Sequence, residues 1–118
     1  MAARAQRNTA PVEEPRVIEK RKIPDFDRMI HEHVRLAIMS AVAVNEKLSF
    51  VELRDIVQTS DGNISVHARK LEDAGYIVTK KYFIGRIPRT DYQITAAGRR
   101  AFEKYIAHME ALVKTNKK

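Results

Sequence analysis

Residues 60–77 read SDGNISVHARKLEDAGYI, and this stretch decides the fold. Ile64, Ala68 and Leu71 recur at helical spacing, so we expect a helix whose buried face these three side chains form. Gly75 stands where a helix commonly ends in the left-handed conformation. The stretch therefore predicts one helix with a buried face, an exposed face and a sharp end.

The residues before this helix predict a second helix that meets it at a tight turn. Ser49 and Glu52 have the spacing of a capping box, in which each side chain satisfies a free N–H group at a helix start. A very short strand is expected just before it, at 48–49. The apolar face of the second helix is predicted to consist of Phe50, Leu53, Ile56 and Val57. Only the short break at 58–60 separates the two helices, which is typical of a helix-turn-helix.

After Gly75 the hydrophobic period changes from that of a helix to that of strands. The segment 76–83 is rich in β-branched and aromatic residues and predicts a strand, and 90–94 predicts the returning strand of a hairpin. Between them, the Gly- and Pro-containing segment 85–89 is expected to form a turn-rich connection. Thr95 is positioned to cap a last helix.

A helix with two apolar faces is predicted to begin near Asp25 or Asp27, either of which can cap it. Its buried stripe is expected to comprise Ile30, Val34, Ala37, Ile38 and Ala41. The second face is covered either by the last helix of the same chain or by a second copy of the chain. The residues predicted at a dimer surface are Met29, Leu36, Met39, Phe102, Tyr105, Met109 and Leu112.

The order of these motifs resembles a known group of regulators. The motifs are SDGNISVH at 60–67, KLEDAGYI at 70–77, GRIPRT at 85–90 and YQITAAGR at 92–99. The stretch 48–102, which contains these motifs and covers about half of the chain, resembles the stand-alone winged-helix transcriptional regulators of the MarR, ArsR and PadR type. The resemblance implies a mainly α fold with a small β-hairpin wing, a winged helix-turn-helix. It also implies a homodimeric transcriptional regulator that binds double-stranded DNA sequence-specifically.

A recognition helix must bury one face and present small or polar groups to base edges. The residues predicted to do so are Gly62, Asn63, Ser65, Val66, Arg69 and Lys70. Two readings of Asn63 stay open, hydrogen bonding to adenine or capping of the helix. Asp61 is assigned to capping, because a carboxylate at a helix N-terminus repels phosphate.

The predicted wing carries four cations, Lys80, Lys81, Arg86 and Arg89. Arg86, at the tip, is the first candidate for a minor-groove or backbone contact. Arg89 either contacts DNA or pairs with an acid such as Asp91 or Glu72. The aromatic residues Tyr82, Phe83 and Tyr92 are expected in the hairpin core rather than as platforms on which bases stack.

Composition sets wider bounds. The 118 residues carry a formal net charge of +7, which favours a polyanionic partner or merely gives a soluble basic surface. We expect a mobile basic arm over 1–22, a DNA-binding domain with a C-terminal dimerisation helix over 23–113, and a basic tail over 114–118. No apolar run approaches the roughly 20 residues of a membrane span, and no secretory signal is visible, so a cytoplasmic protein is expected.

Other functions have less support in the sequence. The absence of cysteine excludes thiolate zinc sites, and the four histidines form no ligand pair, so no metal or other cofactor is expected. His67 is expected to be a hydrogen-bonding residue on the flank of its helix. No phosphate loop or nucleophile motif is present, which argues against an enzyme. Two alternatives remain: a winged-helix adaptor for other proteins, and a regulator that holds a small-molecule effector beside Met29, Leu36 and Met39.

Overall fold

The structure is a computed structural model and describes residues 26–116. Four helices and three strands follow one another in the order helix, strand, helix, helix, strand, strand, helix. They are α1 (His33–Val44), β1 (Leu48–Ser49), α2 (Phe50–Val57), α3 (Asp61–Asp73), β2 (Ile77–Ile84), β3 (Ile87–Ile94) and α4 (Ala96–Asn116). The strands form one antiparallel sheet in the order β1-β3-β2. The predicted architecture, mainly helical with a hairpin wing, is confirmed.

The start of α1 differs from the prediction, because Asp27 does not cap this helix. Its carboxylate accepts the backbone N–H of Met29 at 2.8 Å in a separate turn, and it also accepts the Tyr76 hydroxyl. The cap of α1 is Glu32, whose side chain accepts the N–H of Arg35 at 2.9 Å. The prediction at Asp27 was wrong because a long-range contact, invisible in the local sequence, holds this carboxylate. Asp25 lies outside the described residues.

The capping box at the start of α2 is confirmed in both directions. The Ser49 side chain accepts the N–H of Glu52 at 3.1 Å, and the Glu52 carboxylate accepts the N–H of Ser49 at 2.9 Å. Ser49 also lies in β1, which pairs with β3 through Leu48 with Tyr92 and Ser49 with Asp91. One residue therefore both ends a strand and begins a helix.

Replacing Ser49 with alanine is expected to lower the free energy of unfolding by about 1 kcal/mol, because the N–H of Glu52 loses its acceptor at a buried helix start. Urea unfolding of the two proteins measures the difference. Ser40→Ala is the matched control, since Ser40 is exposed within α1 and caps nothing. Equal losses for the two variants would contradict the assigned role of the capping box.

Helix α3 ends as the sequence predicts. Gly75 has a positive φ of 84°, and its N–H donates to the carbonyl of Glu72 at 2.9 Å. The N–H of Tyr76 then reaches back to the carbonyl of Leu71 at 3.0 Å. These two hydrogen bonds form a Schellman motif, which satisfies the last carbonyls of the helix and turns the chain into β2.

The wing is longer and its turn tighter than predicted. Strands β2 and β3 pair without interruption from Ile77 with Ile94 to Ile84 with Ile87, so only two residues remain in the turn. Gly85 takes a positive φ of 63° at the first turn position, which allows this short connection. The predicted turn over 85–89 was therefore too long, because Pro88 is tolerated in the part of β3 that pairs with β2 alone, since β1 reaches only Asp91 and Tyr92.

The core lies between the helices and the inner face of the sheet. Its fully buried members include Ile30, Ile38, Met39, Leu53, Ile64, Leu71 and Ile77. The side chain of Thr95 caps α4 by accepting the N–H of Gly98 at 2.9 Å, as predicted. Helix α4 continues to Asn116, so residues 114–116 of the predicted tail are helical. None of the helices within 26–116 is both long and apolar enough to cross a membrane.

Candidate nucleic-acid interface

The outer face of α3 presents all six of the residues of this helix that were predicted to contact DNA. The three buried positions of the helix are Ile64, Ala68 and Leu71, which pack in the core. The exposed positions include Gly62, Asn63, Ser65, Val66, Arg69 and Lys70. The core packing thus fixes the rotation of α3 and turns this polar and basic surface outward. Contact of these residues with DNA stays a prediction.

At the N-terminus of α3, the capping role belongs to Ser60 rather than to Asp61. The Ser60 hydroxyl accepts the N–H of Asn63 at 3.1 Å. Asp61 instead accepts a hydrogen bond from Arg54 of α2 at 3.0 Å, and this contact raises the pKa of Arg54. The ion pair spans the turn between the two helices and neutralises the carboxylate that would repel a phosphate.

The Asn63 side chain has a local partner, since its amide nitrogen donates to the Thr59 hydroxyl at 2.9 Å. Its amide oxygen has no protein partner among the described residues. This oxygen can accept from the exocyclic amine of adenine without breaking the bond to Thr59. The hydrogen bond to Thr59 also fixes the orientation of the amide at the start of α3. Both interpretations of Asn63, a contact to adenine and a local role at the helix start, are therefore compatible with the geometry.

A cleft separates α3 from the wing and brings together predicted residues of both elements. Ser65 and Arg69 line it from α3, and Thr79 and Lys81 line it from β2. Glu72 is the carboxylate in its lining. The cleft therefore places two cations and three hydroxyl-bearing side chains, the third being the buried Tyr92, where a backbone phosphate passing between α3 and the wing can be bound.

The remaining cations of the wing, Lys80, Arg86 and Arg89, are all exposed. Lys80 lies on the outer face with Tyr82 and Asp91, where the Tyr82 hydroxyl donates to the Asp91 carboxylate at 2.7 Å. This hydrogen bond is the main reason why the pKa of Tyr82 is raised. Arg86 lies in the turn at the tip.

Arg89 lies opposite Tyr82 in the ladder. Among residues 26–116, no carboxylate lies within 4.0 Å of its guanidinium. The alternative pairing of Arg89 with Asp91 or Glu72 is therefore absent from the structure. Its positive charge is left facing solvent on the wing.

Phe83 contradicts the expectation that the wing aromatics form a hairpin core. Tyr92 is buried and Tyr82 is half-buried, as expected. The Phe83 side chain, in contrast, is 70% exposed, and its neighbours Ile84 and Ile87 are 51% and 63% exposed. The wing extends beyond the helices that cover its base, so these three side chains stay largely exposed, and Ile87 borders an open cavity with Phe50 and Val51 of α2.

His67 has partners that the sequence did not reveal. Arg35 of α1 donates from Nη1 to its Nδ1 at 3.0 Å, which requires that nitrogen to be unprotonated, since arginine has only donors. Glu32 lies farther from the same nitrogen, at 3.6 Å, and already accepts the N–H of Arg35. We therefore assign the Arg35 contact as the hydrogen bond. No local pattern predicts it, because 32 positions separate the two residues.

Glu32 completes this cluster at the junction of α1 and α3. Burial raises the pKa of its carboxyl, but the N–H of Arg35 and nearby positive charge, including that of the Arg35 guanidinium, outweigh burial. The pKa of Glu32 is consequently lowered from its ordinary value. The ionised carboxylate caps α1, while the Arg35 guanidinium is held beside α3 by the carbonyl of Met29, to which its Nε donates at 2.7 Å, and by His67.

The residues predicted at a dimer surface divide into two groups. Met39 and Tyr105 are buried in the protomer core, and the Tyr105 hydroxyl lies 2.7 Å from Nδ1 of His31. Their inclusion at a surface was wrong for the free protomer, because α1 and α4 of the same chain cover them. Met29, Leu36, Phe102, Met109 and Leu112 are half-buried. On the outer side of α4, Ile106 and Val113 are exposed and border a groove with Met109.

Comparison with known proteins agrees with this architecture. The model of the winged helix DNA-binding domain family matches residues 34–113. The chain belongs to this family. The matched range runs from α1 to the distal part of α4 and so contains the whole winged helix.

Relatives of this winged-helix protein are found both by sequence and by structure. An uncharacterized protein of Methanocaldococcus jannaschii is 36% identical over 81 residues, which cover 69% of this chain and 88% of that protein. A structure of a transcriptional regulator homologue from Pyrococcus horikoshii is similar, with a TM-score of 0.70 and 28% identity over 74% of this chain and 86% of that one.

More distant structures share the fold alone. A putative transcriptional regulator, ytfH, from Salmonella typhimurium has a TM-score of 0.61 and 19% identity over 75% of this chain and 78% of that one. A complex of MepR with DNA from S. aureus has a TM-score of 0.58 and 13% identity over 76% of this chain and 69% of that one. The structural neighbours include a regulator of the MarR family from Silicibacter pomeroyi, one of the groups that the sequence resemblance named.

Proposed function

We propose that this winged-helix protein regulates transcription by binding double-stranded DNA sequence-specifically as a homodimer. The observation that carries the proposal is the continuous surface of α3 and the wing. Packing of the core directs the exposed face of α3 outward. Arg69 of α3 and Lys81 of the wing both line the cleft between these two elements. Helix residues supply the polar groups that read base edges, and the surrounding cations supply phosphate affinity.

Charge placement favours DNA over a protein partner. Between Val78 and Thr90 the wing contains four cationic side chains and no carboxylate. An adaptor for other proteins has no need of such a one-sided distribution. The solved complex of MepR with DNA adds support at the level of the fold, since that relative has the same architecture.

The decisive experiment is selection of bound fragments from a genomic pool, followed by sequencing and by gel shifts at physiological salt. We expect recovered fragments to share a motif and to bind at least about a thousandfold tighter than scrambled versions. Equal binding of recovered and scrambled fragments would reject sequence-specific recognition and leave the adaptor as the better description.

The dimer is expected to be two-fold symmetric, with its recognition helices about one duplex turn apart. The recovered motif should then be palindromic, with half-sites about 10 bp apart. The groove beside Ile106 and Val113 on α4 supports this part of the proposal, since it is mainly apolar, with Glu110 and Lys114 also in its lining, and is uncovered within the described protomer.

Arg86→Ala is expected to weaken binding to all DNA sequences by a similar factor, about threefold to tenfold, because Arg86 at the wing tip contacts the backbone or minor groove rather than a unique base pattern. The slope of log affinity against log salt should also fall by about one. Gel shifts across a salt series measure both quantities.

Arg100→Ala is the matched control, because Arg100 is equally exposed but lies on α4, away from the wing. It is expected to leave the salt slope unchanged. An unchanged affinity of Arg86→Ala at every salt concentration would remove the wing tip from the DNA-contacting surface.

A further inference from the structure

The tip of the wing is apolar, although its flanks are cationic. Phe83, Ile84 and Ile87 are exposed there and surround the turn that carries Arg86. Large exposed apolar groups are costly in solvent and commonly mark a contact surface. A partner of this tip must therefore offer an apolar surface to the tip and negative charge to the cations around it.

The position of Phe83 in the strand shows on which face of the wing its side chain lies. Side chains two residues apart on a strand lie on the same face, so Phe83 continues the row formed by Thr79 and Lys81. Thr79 and Lys81 line the cleft shared with Ser65 and Arg69 of α3. Phe83 therefore prolongs, toward the tip, the face of the wing that borders the proposed phosphate cleft.

The reach of the wing fits insertion into a groove of the duplex. On β3, the buried residue nearest the tip is Asp91, and Ile87 lies four residues closer to the tip. At about 3.3 Å per residue the tip projects about 13 Å beyond the core, which exceeds the roughly 7.5 Å depth of the minor groove.

The width of the wing does not fit an undistorted minor groove. Two paired strands lie about 4.8 Å apart before their side chains are added, whereas the groove is only about 6 Å wide. A tip with large side chains therefore enters only where the groove opens. Apolar wedges in other minor-groove binders open it by separating two base pairs and kinking the duplex.

We infer that Phe83 inserts into the minor groove at one base step, partly unstacks it and bends the DNA, while Ile84 and Ile87 extend the apolar tip on the opposite face of the wing. The inference rests on the proposed DNA-binding function. It adds that the protein recognises its site partly by how easily the DNA sequence there is deformed. Pyrimidine–purine steps unstack most readily, so the motif should contain TA or CA/TG where the wing reaches. The charge of the flanking cations matches the phosphates on both sides of that groove.

The test uses the full chain and a duplex of about 30 bp taken from the selected fragments. Donor and acceptor dyes at its ends report bending by energy transfer, and 2-aminopurine at the contacted step reports unstacking by its fluorescence. We expect the unaltered protein to shorten the end-to-end distance and to increase the fluorescence. Phe83→Ala is expected to lose both signals and about tenfold in affinity, as for loss of a base–aromatic contact.

Val78→Ala is the matched control. Val78 is exposed on the same strand but lies at the base of the wing, outside the groove-facing row. It is expected to retain bending, fluorescence change and affinity. Since Phe83 is exposed, its replacement is not expected to lower the unfolding temperature, and a melting curve for each variant checks this.

The possible results separate the wedge from the proposed function itself. Binding of unaltered protein without bending or unstacking, and equally strong binding by Phe83→Ala, would reject the wedge and leave DNA binding intact. Absence of any duplex binding by the unaltered protein would reject both. A loss of self-association by Phe83→Ala in sedimentation would show that the tip contacts a second copy instead, which also overturns the wedge.

Discussion

Replacement of Gly98 by alanine is expected to lower the free energy of unfolding by about 3 kcal/mol or more, since overpacking against rigid backbone is among the costliest substitutions. A Cβ at this position would overlap the carbonyl oxygen of Tyr76 and lie 2.8 Å from its carbonyl carbon. Helix propensity alone predicts the opposite sign, because alanine is favoured over glycine in a helix by about 1 kcal/mol.

The Tyr76 backbone has little freedom to move away from an added methyl group. Its carbonyl accepts the N–H of Thr95 at 3.0 Å, and its own N–H is held in the Schellman motif by Leu71. Its hydroxyl donates to Asp27, and this hydrogen bond raises the pKa of Tyr76 to about 12. Three contacts in three directions thus fix the segment that α4 approaches.

Urea and thermal unfolding measure the effect. For a domain of this size, a loss of 3 kcal/mol corresponds to a fall of roughly 10–20 °C in Tm. Gly62→Ala is the matched control, because Gly62 is also in the first turn of a helix but has open space around it. It is expected to be neutral or stabilising by up to about 1 kcal/mol. Wild-type stability of Gly98→Ala would contradict the close approach of α4 to Tyr76.

Replacement of Val113 by aspartate is expected to convert the proposed dimer to a monomer and to reduce operator affinity by at least about a hundredfold. Val113 is 57% exposed on the distal part of α4 and borders the apolar groove with Ile106 and Met109. A carboxylate buried without a partner in a dimer contact costs several kcal/mol. The monomer also loses the second half-site, whose contribution to avidity is commonly 10²–10⁴.

Sedimentation at micromolar concentration measures the association state, and gel shifts on a palindromic site and on a single half-site measure affinity. The variant should retain its affinity for the half-site, because α3 and the wing are unchanged. Val44→Asp is the matched control, since Val44 is exposed on α1, outside the groove. Sedimentation of the unaltered protein as a monomer would reject the dimer whatever the variant does.

Much of the candidate site could be predicted because the relevant signals are local. The exposed face of α3 follows from the spacing of Ile64, Ala68 and Leu71, which bury the opposite face. The ends of α2 and α3 follow from hydrogen bonds that span only three to five residues, at Ser49 and at Gly75. Helix periodicity and capping are short-range effects, so the sequence displays them directly.

The errors concern residues whose surroundings come from distant parts of the chain. Asp27 was predicted to cap α1 but accepts the Tyr76 hydroxyl, 49 positions away. Met39 was predicted on a second surface but is enclosed by the protomer core. Phe83 was predicted in a hairpin core but lies beyond the end of the covering helices. In each case residue type was a poor guide because burial depends on which elements meet in three dimensions.

The sequence by itself determined the element order, the rotation of α3 and the position of the cationic wing, because periodicity, caps and turn residues act over a few positions. Three features come from the packing of distant elements: His67 binds Arg35, Tyr76 leaves no room for a side chain at Gly98, and the wing ends in an exposed apolar tip. Each of these depends on the distance between elements far apart in the chain. Those distances are set by packing of the whole core, which no local pattern records.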